Sequence, residues 1–356
     1  MRSGSHKHLS GPVHLSGPLH RSASALRPRP VVVAALLGLT CVAAFSAASA
    51  VRPSPAPRPG ASARPATTLP PPVPAAPTRT AVLTRPQFEP TVAQLPRGGT
   101  TIFPRYRLVG FSGGPGSAAF GRLGIGNIDR RVDDIERFGR QYARGRQPMP
   151  VLELIADVAQ TKPGPDGKYH LRVEPDVVHS YLAAARRHRA LLLLNIQPGR
   201  ADFLPEVKAF LPWLRQPDVG VALDPEWAVG RGQVPGRVFG STTGKEVDGV
   251  AAFLQQIVTE QHLPQKVLVV HQLAVRIWEN PGAVKRRPGV VVVKSVDGIG
   301  SRADKTVTWN KLVAGLPPVL HPGFKLFFTE DGGSRGLMTP AQVLALRPTP
   351  EYVLYE

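Results

Sequence analysis

Val219-Gly220-Val221-Ala222-Leu223-Asp224-Pro225-Glu226-Trp227 is an apolar run that ends abruptly in two carboxylates and an indole. A short β-branched, glycine-containing run of this kind has the composition of a strand buried on both faces. Pro225 removes a backbone donor, so strand pairing should stop near Asp224. Side chains alternate with period two along a strand, which places Asp224 and Glu226 on one side of the carboxyl end.

Seven further runs of the same character flank this one, at 106–112, 149–156, 189–197, 266–272, 289–296, 324–330 and 352–356. Helical patterns lie between them at 129–144, 176–188, 203–215, 246–261, 273–280, 304–315 and 339–346, with Asp176, Asp304 and Thr339 at the expected N-caps. Strand then helix, repeated over about 250 residues, predicts an α/β chain folded as a (β/α)8 TIM-like barrel over 105–356. A doubly wound open sheet is the alternative.

The first hundred residues read differently. Residues 1–30 are basic and polar and predict a disordered stub. Residues 31–51 (VVVAALLGLTCVAAFSAASAV) are uncharged and long enough to span a bilayer, behind a basic flank. The segment predicts either a membrane anchor or a signal peptide cleaved after Ala50, with the remainder outside the cytoplasm in both cases. Residues 52–104 begin as a Pro/Ala-rich linker, whose last part, 83–104, is expected against the lower face of the domain.

Of the formal net charge of +19, residues 1–100 supply +10 and the rest +9. A moderate basic excess suits an anionic surface such as a wall polymer or phospholipid. No basic motif interleaved with aromatics points to nucleic acid. The single Cys41 lies in the apolar segment, which excludes disulfides, thiolate catalysis and Cys-ligated zinc from the folded part. The Gly-rich run from Gly113 to Gly126 contains no complete Gly-x-Gly-x-x-Gly and reads as a loop beside the site. There is no Gly-x-Ser-x-Gly elbow and no His-Glu-x-x-His, so neither a serine hydrolase nor a bound metal or cofactor is expected.

In such a barrel, chemistry sits at the carboxyl ends of the strands. The polar residues expected there are Ser112, Glu153, Asp157, Asn195, Gln197, Asp224, Glu226, His271, Gln272, Lys294, Asp297, Glu330, Asp331 and Tyr355. Asp224 and Glu226 after the fourth strand, with Glu330 after the seventh, resemble the retaining glycoside hydrolases built on the same barrel. The Asp-x-Glu followed by Trp227 also looks like the end of the chitinase-type motif, though Val219 and Ala222 stand where that motif has further aspartates. The resemblance implies Glu226 as acid, Asp224 as its neighbour and Glu330 as the opposing carboxylate. From their positions at the strand ends, Glu153, Asn195, Gln197, Trp227, His271, Lys294 and Tyr355 are the expected glycan-binding residues. As a whole the chain resembles secreted or membrane-anchored proteins of high-GC Gram-positive bacteria. The expected partner is a polysaccharide or cell-wall glycan, with a catalytically silent wall-binding barrel as the alternative.

Overall fold

The computed structural model describes residues 93–331 and 336–356. The basic stub, the apolar segment 31–51 and the linker up to residue 92 lie outside the described residues. Among the described residues, no helix is long and apolar enough to cross a membrane.

Eight strands form a closed parallel barrel: β1 (Tyr106–Gly113), β2 (Gln147–Ala159), β3 (Leu191–Ile196), β4 (Val219–Leu223), β5 (Lys266–Gln272), β6 (Val290–Val296), β7 (Leu320–Leu326) and β8 (Tyr352–Tyr355). Each pairs in parallel with its sequence neighbours, and β1 closes the ring by pairing with both β2 and β8. Closure leaves no sheet edge among these eight and gives every strand two covered faces, as their near-continuous apolar composition demands. One face, with Val109, Leu194, Val221 and Leu268, packs outward against the helices. The other, with Leu108, Val151, Leu193, Val269, Val293 and Leu354, fills the interior. Burying a Val or Leu side chain stabilises by about 1.5–3 kcal/mol, and these side chains make the interior an apolar plug under the upper rim.

Residues 93–104 close the lower end, placing Leu95 and Ile102 in the inner cluster. The Tyr106 hydroxyl ties this segment down by donating toward the carbonyls of Arg97 and Gly98 at 2.7 and 2.8 Å.

The helices are α1 (Ile128–Gln141), α2 (Pro175–Arg187), α3 (Phe203–Ala209), α4 (Leu211–Leu214), α5 (Gly244–Gln261), α6 (Arg302–Val313) and α7 (Pro340–Leu344). Thr339 caps α7 as expected, in a reciprocal box with Gln342. The other two expected caps move. Glu174 takes the N-cap of α2 with Asp176 inside its first turn, and Ser301 caps α6 with Asp304 as the reciprocal third residue.

Two expected elements differ more. The pattern at 273–280 forms no α-helix: a single 3-10 turn, Val275–Ile277, leads into Trp278–Glu279, which pairs with Thr242–Thr243. Asn280, at φ 47°, and Pro281 then turn the chain away. The seventh strand runs over Leu320–Leu326 instead of 324–330. Pro322 and Gly323 disguise its start, and its end is set where the Phe327 amide leaves the ladder to donate to Asp331 Oδ2 at 2.8 Å.

Candidate active site

Above the apolar plug the inward positions become polar, because each strand's period-two alternation continues into its carboxyl end. At the centre lies Glu153, fully buried on β2. Its Oε1 accepts from His271 Nε2 on β5 and from Asn195 Nδ2 on β3, both at 2.9 Å, and its Oε2 accepts from the Tyr352 hydroxyl on β8 at 2.5 Å. Burial alone would raise this carboxyl, but His271, Lys325 and the Tyr352 hydrogen bond outweigh it and hold Glu153 below the ordinary range. In return, Glu153 and Asp224 raise His271 against the opposing effect of burial.

A second group surrounds Lys325 on β7, whose ammonium lies 2.8 Å from Glu356 and 3.2 Å from Asp297. Burial opposes its charge, yet Asp297, Glu356, Asp224 and Glu153 together push Lys325 well above the usual lysine value. Asp297 is itself held low, with burial outweighed by Lys325 and His271. Glu356 is raised, since burial there exceeds the pull of Lys325. Behind this group Lys305 pairs with Asp331 at 2.8 Å.

Asp224 and Glu226 complete the mouth. Asp224 Oδ2 accepts weakly from Gln197 at 3.4 Å, and Oδ1 is buried with no partner among the described residues. The chain then enters a 3-10 turn over Pro225–Trp227, so Glu226 is not carried on extended strand. The Gly240 amide donates to the Glu226 carbonyl at 2.7 Å and pins that turn. The Glu226 side chain is partly exposed, and no described residue bonds or ion-pairs with its carboxyl. Burial first, then Asp224 and Asp297, raise Glu226 well above the usual carboxyl value, with Lys325 offsetting only part. Trp227 stands partly buried beside it.

Glu153, Asn195, Gln197, Asp224, Glu226 and His271 thus share one mouth, and Trp227 ends the turn that carries Glu226. Three expected members do not. Glu330 lies four residues past the end of β7 and is exposed, a consequence of the strand's earlier start. Lys294 occupies an outward position on β6, 5.7 Å over the Trp278 ring, and burial lowers it to about 8. Tyr355 also faces outward, in an aromatic cluster with Phe111, Phe138 and Phe328, and its hydroxyl meets that of Tyr142 at 2.6 Å.

The sequence reading missed Lys325, Tyr352 and Glu356. With β7 in its true register, Lys325 between Phe324 and Leu326 falls on the polar side of the alternation. Tyr352 starts lower in β8 and reaches Glu153 past Gly323, whose added Cβ would lie 3.2 Å from the tyrosine ring. The Gly-rich loop after β1 is no phosphate cradle: a Cβ at Gly124 would meet the Gly114 carbonyl at 1.7 Å, and one at Gly121 would meet the Ser112 carbonyl and the Glu356 side chain. Its glycines let the loop fold tightly over the rim. Ligand atoms close enough to share a metal ion occur at Asp224, His271 and Asp297, and again at Asp157, His170 and Glu206.

No protein-family model matches the chain, and no curated protein matches it. Among solved structures, a hyperthermophilic endo-β-1,4-glucanase in complex with substrate is similar at a TM-score of 0.37 and 8% identity, over 70% of this chain and 87% of that one.

Proposed function

We propose that this barrel is a glycan-acting hydrolase with Glu226 as its proton donor. The observation that carries the reading is the Glu226 carboxyl, partly exposed at the mouth and unpartnered among the described residues, beside Asp224 and above a buried hydrogen-bonded net. Cleaving a glycosidic bond needs a neutral carboxyl group to protonate the leaving oxygen, and negative charge to stabilise the oxocarbenium-like centre. Glu226 is placed for the first task, and Asp224 with Asp297 for the second. Glu330, exposed beyond the rim, takes no part. Trp227 offers an apolar face to a sugar ring. Action outside the cytoplasm belongs to the same proposal and rests on the basic flank before residues 31–51.

The test is release of sugars or muropeptides from a panel of soluble glycans and insoluble wall. Glu226→Gln keeps shape and hydrogen bonding but cannot donate the proton. Turnover should fall by roughly two to four orders of magnitude, with binding and melting temperature unchanged. Wall binding without any release by the wild type would instead identify a silent binder. A reporter fused after residue 100 should be external, and a cytoplasmic signal would overturn the location.

A further inference from the structure

We propose that Asp224, His271 and Asp297 form a binding site for one divalent transition-metal cation, Zn2+ or Mn2+, on the floor of the barrel mouth. Each offers one ligand atom, and the three atoms lie within 4.8 Å of one another. Two of these side chains present a buried polar atom with no hydrogen-bond partner among the described residues, Asp224 Oδ1 and His271 Nδ1. Their residues are only 4% and 1% exposed. Buried polar atoms are rarely left unsatisfied, so both call for a ligand.

The imidazole is already oriented for one. His271 Nε2 donates to Glu153 at 2.9 Å, which turns Nδ1 toward Asp297 Oδ2, 3.8 Å away, where a cation would take the place of its proton. Glu153 is in turn fixed by Tyr352 and Asn195. A carboxylate behind the distal nitrogen is how metal-bound histidines are held in one tautomer. The charge balance also favours a cation. The carboxyl groups of Glu153, Asp224, Asp297 and Glu356 all act on the ammonium of Lys325, while Lys305 pairs directly with Asp331 and reaches Asp297 only as a lesser influence. One imidazole and two carboxylates suit Zn2+ or Mn2+, whose bonds of about 2.0–2.2 Å would draw the three side chains together. Asp297 meanwhile stays anchored by Lys325 and by the Gly298 amide at 2.6 Å.

The other cluster provides the contrast. His170 spends both ring nitrogens, Nδ1 on Asp157 at 2.8 Å and Nε2 on Asp166 at 2.9 Å, and Arg172 bonds Glu206. No imidazole lone pair remains there, so that cluster braces β2 instead of holding an ion.

The site shares Asp224 and Asp297 with the glycan reading, and the two are told apart because ion binding is measured without substrate. Full-length protein stripped with EDTA is titrated calorimetrically with ZnCl2 and with MnCl2. One ion per chain and a higher melting temperature are expected, with X-ray absorption of the loaded wild type showing one imidazole among oxygen ligands. Glu153→Gln, which leaves all three ligands in place, should weaken binding about 10–100-fold. His271→Gln should abolish binding and His170→Gln should leave it unchanged. Absence of binding by the wild type overturns the proposal, as does an absorption spectrum without imidazole or loss of the ion in His170→Gln. Should His271→Gln fail to fold, the wild-type spectrum together with His170→Gln still decides.

Discussion

Lys266 carries its ammonium into the protein and donates to the carbonyls of Gln216 and Val219, both at 2.8 Å. Burial lowers it to about 7, with only Asp218 pulling the other way. Between pH 7 and the unfolded value of 10.5 the unfolded chain therefore holds a proton that the folded chain does not. Stability must rise with pH across that window, and below pH 7 the full cost of burying the charge is felt. We expect the melting temperature of the wild type, relative to Lys266→Met, to climb as pH goes from 7 to 10. A flat difference would show that the ammonium is solvated. Glu226 was legible at this scale because its neighbour and its strand-end position are local facts. Lys325 was not, since its partners Asp297 and Glu356 stand 28 and 31 residues away in the chain.

Elements set which side chains the site receives. β7 was misread by four residues because Pro322 and Gly323 contradict strand composition, yet in a closed barrel the neighbours on both sides impose the pairing, and the Pro322 carbonyl still accepts from the Glu351 amide at 2.8 Å. That shift removes Glu330 from the rim and delivers Lys325. The loop after β1 is equally consequential. Gly121, at φ 97°, has room for no Cβ: one would lie 2.5 Å from the Ser112 carbonyl and 2.8 Å from Glu356 Cγ. Gly121→Ala should cost about 1–3 kcal/mol through strain and crowding. It should also lower turnover by displacing Glu356, measured by a melt alongside the glycan assay. An unchanged melt would show the loop to be slack.

At the scale of the whole molecule, the apolar seal and the proposed site occupy opposite ends of one barrel. The lower end is sealed by Leu95 and Ile102, 3% and 1% exposed, inside the inner apolar cluster. Truncating either to Ala should destabilise by about 2–5 kcal/mol, read by denaturant unfolding. Substrate affinity should not change, because the apolar plug separates the two ends. A change in affinity without loss of stability would contradict that division.

Periodicity and composition determined an α/β chain of eight two-faced strands, since apolar runs spaced by amphipathic segments leave few ways to bury them and burial depends on local pattern; that the sheet closes instead of staying open was decided by the pairing of β1 with both β2 and β8. The same reasoning placed Glu153, Asn195, Gln197, Asp224 and His271 at the carboxyl ends where they meet. Only the tertiary structure decided which rim residues face inward, because a strand register shifted by a few residues, or a single turn such as Pro225–Trp227, changes what reaches the mouth without changing the apolar pattern. It also decided the charges. Whether Glu226 is held neutral, or Lys325 held charged, depends on desolvation and on carboxylates contributed by other strands, and those distances exist only once the barrel has closed.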